Sequence, residues 1–140
     1  MGKKSDGAMA EVSGPLFANG YVPAGAAATA NSGHPIFRAP FACKVRKVRI
    51  TPGAAITGAD TDTAYFTLYF RGTDGSGTTA LATRMNVSGT NSVKSDRIDL
   101  YAPASPYDLA QDAVLEIQRT KFGSGLAVPD LLVEVEYEAN

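Results

Sequence analysis

The chain has 140 residues, 13 Lys+Arg against 14 Asp+Glu, and a formal net charge of −1. This length fits one domain, able to bury about two thirds of its unfolded surface without metal or disulfide staples. The charge balance argues against a general nucleic-acid binder, the lone cysteine excludes an intrachain disulfide, and no apolar run approaches the ~18 residues of a membrane span.

Residues 1–33 stand apart, with 14 Gly or Ala among them. The opening MGKKSDGAMAEV has a basic start but no apolar core, so it makes a poor secretory signal. Asp6 stands where a myristoylation sequence needs Ser or Thr. Further on, PAGAAATANSGHP (residues 23–35) offers too little apolar surface to offset its ordering entropy. Pro23, Gly25, Thr29, Asn31 and Gly33 interrupt any helix its alanines favour. Within this region PLFANGYV (residues 15–22) carries Leu16, Phe17, Tyr21 and Val22, enough to dock as a short strand. Residues 1–33 read as a flexible N-terminal arm, disordered to about residue 14 and either frayed or ordered on a partner, ahead of a β-domain over residues 34–140.

From His34 on, short strands alternate with Gly/Pro/Asp/Ser turns: residues 36–39, 41–51, 63–71, 78–86, 95–101, 112–121 and 130–138. No stretch sustains a helical period, although PYDLAQDA suits one short turn. The pattern predicts an all-β fold, an antiparallel β-sandwich of jelly-roll type. In residues 41–51, Phe41, Cys43 and Val45 are apolar on odd positions, Val48 and Ile50 on even ones. Keeping both sets inward needs a one-residue slip near Arg46-Lys47, a β-bulge. Lys44, Arg46, Lys47 and Arg49 then mostly face outward, as do Glu134, Glu136 and Glu138 at the other end of the chain. The basic strand that opens the domain is expected to pair antiparallel with the acidic strand that closes it. RGTDGSG (residues 71–77) resembles a phosphate cradle only until its flanks are read. The strand after it and the missing Gly-Lys-Ser/Thr ending make it a hairpin tip.

Few residues suit chemistry. Cys43 lies between apolar neighbours and reads as a small buried hydrophobe. His34 is the single histidine, which leaves neither a zinc site nor a Ser/His/Asp triad with enough parts. Asp60, Asp62 and Asp74 lack the spacing of a calcium loop and read as solvated carboxylates. Asn86-Val87-Ser88 is a glycosylation sequon by pattern alone. The expectation is no catalytic centre, no metal and no cofactor. Tyr65 and Tyr69 share the strand face opposite Phe66, Leu68 and Phe70, so that face is covered by the arm or offered to a partner.

The Ala/Gly-rich arm, FRAPFACKVRKVRI, AYFTLYFR and the close LAQDAVLEIQRTKFGSGLAVPDLLVEVEYE together resemble small jelly-roll structural proteins of tailed bacteriophages, the capsid decoration or cement proteins. The resemblance spans about residues 15–140, has no diagnostic motif and carries no site residues over. It implies a non-enzymatic homotrimer on the virion surface, made in the host cytoplasm, whose partner is the major capsid protein, with no nucleic acid and no membrane. The expected interface residues are the arm anchors Leu16, Phe17, Tyr21 and Val22 and the exposed aromatics Tyr65 and Tyr69. Two alternatives stand beside it: a lectin-like carbohydrate-binding fibre module with a groove lined by Tyr65, Tyr69 or Tyr101, and a glycan-active tail component using paired carboxylates.

Overall fold

Alternation of apolar and polar residues sets the architecture, because each strand with one apolar face must bury it against another. The computed structural model describes residues 14–29 and 31–140. The strands among them are β1 (Leu16–Val22), β2 (Ser32–Arg38), β3 (Cys43–Pro52), β4 (Thr63–Gly72), β5 (Thr79–Met85), β6 (Ile98–Tyr101), β7 (Tyr107–Leu109), β8 (Val114–Phe122) and β9 (Leu131–Ala139). There is no helix among the described residues. One sheet runs β1-β9-β3-β6, with β7 on β3 as well; the other runs β2-β8-β4-β5. Every pairing is antiparallel. The two sheets form a β-sandwich.

The core is where the two apolar faces meet. Val45, Val48, Ile50, Leu131, Val133 and Val135 from the first sheet, and Phe66, Leu68, Leu115 and Ile117 from the second, are all buried. Fully burying each such side chain is worth about 1.5–3 kcal/mol, which offsets the backbone entropy of strands joined by loops. Cys43 is buried with them, and burial pushes its thiol pKa up, as fits a small hydrophobe.

The expected pairing of basic and acidic strands is present. β3 pairs with β9 from Cys43↔Ala139 to Pro52↔Leu131, and the register shifts between Val45 and Lys47. Arg46 is the extra residue. The slip keeps Val45 and Val48 both inside, as the apolar phase change requires. The partners are not the first and last strands of the fold. β3 is the third strand rather than the first, and β9 lies between it and β1.

The arm expected over residues 1–33 is occupied differently where it is described. Residues 16–22 form β1, which pairs along its whole length with β9, from Leu16↔Tyr137 to Val22↔Leu131. β1 also lies against β2, and Gly20 allows the approach, since a Cβ there would come within 2.7 Å of the Ile36 carbonyl oxygen. β2 begins at Ser32, before the expected 36–39, and β7 forms in the segment read as one turn. The disorder expected for residues 1 to about 14 falls almost wholly outside the described residues.

Residues 23–29, too small and polar to fold by burial, are held by a buried arginine. Arg119 sits on the inward phase of β8 after Leu115 and Ile117, with 2% exposure. Its Nη1 donates to Thr29 O at 2.7 Å, and its Nη2 to Ala26 O at 2.9 Å and Leu126 O at 3.2 Å. Gly25 and Val128 exchange backbone hydrogen bonds beside it. Burial pulls the guanidinium pKa down from its ordinary value, yet it stays charged at any pH the fold meets. The carbonyl dipoles, rather than a carboxylate, solvate the charge. Replacing Arg119→Leu is expected to cost about 1–3 kcal/mol and to remove hydrogen-exchange protection from the Gly25 and Thr29 amides. Arg119→Lys should restore little, because a point charge cannot fork to three acceptors. Denaturation curves and exchange rates of the three proteins check this.

Candidate functional site

The six expected interface residues fall on different faces. Period two along β1 sends Val22, 3% exposed, into the protein's own core and turns half-buried Leu16 toward the same side, opposite Tyr137. Phe17 and Tyr21, each 57% exposed, point outward from the first sheet, opposite Glu136 and Leu132. Tyr65 and Tyr69 point outward from the second sheet, opposite Thr120 and Glu116 of β8. The structure therefore makes two pairs on opposite outer faces.

On the first sheet the outer face is mostly a lattice of ion pairs. Arg49 is the centre: its Nη1 lies 3.0 Å from Glu134, its Nη2 2.8 Å from Glu136 and its Nε 3.3 Å from Asp99. Arg46, the bulge residue, reaches Glu138 at 3.1 Å and Glu136 at 3.6 Å. The exposed Lys44–Asp108 pair closes at 2.9 Å. Burial acts to lower the Arg49 pKa, but the hydrogen bond and charge of Glu136, then Glu134 and Asp99, outweigh it and raise the pKa overall. Beside this lattice Phe17, Tyr21 and Leu132 stand exposed.

The second sheet's outer face carries an apolar row across three strands. Tyr65 of β4 lies opposite Met85 of β5, and its ring centroid is 4.2 Å from that of Phe122 of β8. Met85 is 50% and Phe122 42% exposed. Two charges on this face pair with each other: Arg71 Nη2 and Nε hold Glu116 Oε1 at 2.6 and 3.0 Å, and the guanidinium lies 4.4 Å from the centroid of the Tyr69 ring. Tyr69 is thereby covered. A shallow cleft of about 450 Å³ opens beside it, between Pro35, Phe37 and Arg38 of β2, Val114 and Glu116 of β8 and Gly75 of the hairpin tip. Its lining holds one carboxylate, Glu116, bound to Arg71.

Tyr101 does not join Tyr65 and Tyr69 in a groove. It pairs with Val48 on the inner side of the first sheet and packs against the core, and burial followed by the neighbouring Tyr107 raises its pKa. The glycine run is a hairpin tip, with Gly77 N donating to Arg71 O at 2.8 Å and Asp74 accepting from the Ser76 amide and hydroxyl. The Ser76 amide, then its hydroxyl, lower the Asp74 pKa. Asp60 and Asp62 likewise brace loops, accepting from the amides of Ser88 and Ser124. Among the described residues no three or more His, Cys, Asp or Glu side chains gather as a metal site. Asn86 of the sequon is fully buried and donates to Ala64 O at 2.6 Å, so it offers no acceptor for a glycan.

Sequence reasoning missed Met85, Phe122 and Leu132 as surface residues. Their exposure depends on which strand lies beside which, and no local pattern carries that. Arg119 did leave a signal, a charge on the apolar phase of Leu115 and Ile117. No protein-family model matches the chain, and no curated protein matches it closely enough to count as a relative.

Removing Arg49 takes the shared cation from Glu134, Glu136 and Asp99, which keep only longer pairs with Arg97 at 3.8 Å, Arg46 at 3.6 Å and Lys47 at 3.8 Å. Arg49→Ala is expected to destabilise the protein by about 2–4 kcal/mol, whereas Lys44→Ala, at an exposed pair, should change stability by less than ~0.5 kcal/mol. Urea titrations of the two variants distinguish a supporting ion lattice from surface decoration.

Proposed function

We propose that the protein is a non-enzymatic structural component of a tailed-phage virion: a capsid decoration, or cement, protein of jelly-roll type that binds the major capsid protein as a homotrimer. The nested pairings support the jelly roll. β1 pairs with β9, β2 with β8, β3 with β6 and β7, and β4 with β5, and the chain crosses between the sheets at every step except β4 to β5 and β6 to β7. Such nesting is a long hairpin rolled into two layers.

Fold alone carries no function, so the reading rests on the row Met85–Tyr65–Phe122. Exposed Met85 and Phe122 flanking half-buried Tyr65, on a face whose Arg71 and Glu116 are already paired, suit a protein surface: aromatic and Met residues dominate such contacts, and unpaired charge is scarce in them. A capsid supplies this surface in repeated copies, and three weak contacts on a rigid trimer bind it far better than one. The lectin-like reading has only Tyr65 to offer, since Tyr69 lies under Arg71 and Tyr101 faces inward.

The test is co-sedimentation of the purified chain with empty heads of the phage that encodes it, alongside sedimentation velocity of the chain alone. A trimer that pellets with heads is expected. The double variant Met85→Asp/Phe122→Asp should keep its melting temperature within a few degrees, since both side chains are exposed, and remain in the supernatant. A chain that never pellets with heads, or a double variant that pellets like the parent, sinks the proposal.

A further inference from the structure

Sheet edges recruit other strands unless something blunts them: shortness, charge, proline or a bulge. Three margins of this sandwich are blunted. β6 and β7 are four and three residues long and carry Asp99 and Asp108. β2 contains Pro35 and Arg38, and its register with β8 breaks between Pro35 and Phe37. β5 carries Arg84 and meets β4 with a register shift at Leu68/Tyr69. β1 has none of these. Its seven residues, LFANGYV, are uncharged and proline-free, and they pair with β9 without a break. Among the described residues, no backbone group outside the first sheet bonds to it.

We propose that the free edge of β1 pairs antiparallel with β1 of a second copy, about a two-fold axis at Asn19. A two-fold contact must be self-complementary, residue i meeting j and j meeting i. LFANGYV satisfies this: around Asn19 it reads as small pairs Ala18/Gly20, aromatic pairs Phe17/Tyr21 and aliphatic pairs Leu16/Val22. Centred there, Phe17 of each copy faces Tyr21 of the other on the outer side, where both rings are 57% exposed. A one-residue slip would set outward side chains opposite inward ones and turn one sandwich over. A two-residue slip would leave the strand ends unpaired. The contact is small, under the ~800 Å² per partner of a stable complex, so it strengthens where copies are held side by side. It does not rest on the capsid reading. Being two-fold, it joins neighbouring trimers where that reading holds and gives plain dimers where it does not.

Cysteine cross-linking of the full-length chain reads the register directly, since the native thiol, Cys43, is buried. At the axis the two Asn19 Cα atoms lie about 4.5–5.5 Å apart, within disulfide range. Under mild copper-catalysed oxidation, Asn19→Cys is expected to dimerise at least about ten-fold faster than Ser76→Cys, an exposed control at the hairpin tip. Phe17→Cys alone should not cross-link, because its mate is four residues along the ladder, whereas Phe17→Cys mixed with Tyr21→Cys should give the mixed dimer. Equal rates at positions 19 and 76 overturn the proposal, as does a Phe17→Cys homodimer without the Asn19→Cys one. So does any case in which the residues before Gly14 occupy the edge and leave position 19 unlinked.

Discussion

One extra residue in β3 governs both sides of the first sheet. Without the slip at Arg46, either Cys43 and Val45 or Val48 and Ile50 would turn to solvent, and the sandwich would lose half of that strand's contribution to the core. The same slip sets the phase of Lys44, Lys47 and Arg49 against the glutamates of β9, so packing inside and charge pairing outside are consequences of a single backbone irregularity. A continuous β3 would have to give up one or the other.

The two buried arginines are solved in opposite ways. Arg49 sits on an outer face and becomes buried because carboxylates close over it. Arg119 points into the sandwich and finds only main-chain oxygens. The first arrangement ties β9, β3 and β6 side by side. The second ties a loop of small residues to the inside of the other sheet. Each supplies order where apolar burial is thin: on a solvent face in one case, in an alanine-rich connection in the other.

The positions of β3, β4, β5, β8 and β9, the hairpin at residues 71–77 and the β3–β9 partnership were legible in the sequence, because each follows from period-two patterning or turn chemistry within one or two segments; β2 and β7 were not. β1 was only half legible. LFANGYV has the apolar content of a strand, but its partner β9 lies more than a hundred residues away, and the glycines and alanines around it read as arm. The candidate site was less legible still. Tyr65 was found from its own strand, whereas Met85 and Phe122 join it only through the order β8-β4-β5. Val22 was misplaced as an anchor for a partner because alternation says which residues share a face, and only the completed sheet says which face is inside.

The loop held by Arg119 has one further property. Every acceptor in that clamp is a peptide oxygen, so the arginine recognises the path of the chain and is indifferent to the side chains along it. Ala26, Ala27 and Thr29 can be exchanged for other small residues without touching the anchor, while a change of loop length moves the oxygens out of reach. Gly25 is the exception, since a Cβ there would come within 3.2 Å of Arg119 Nε, so the stretch can change its text at the other small residues while its contour is held.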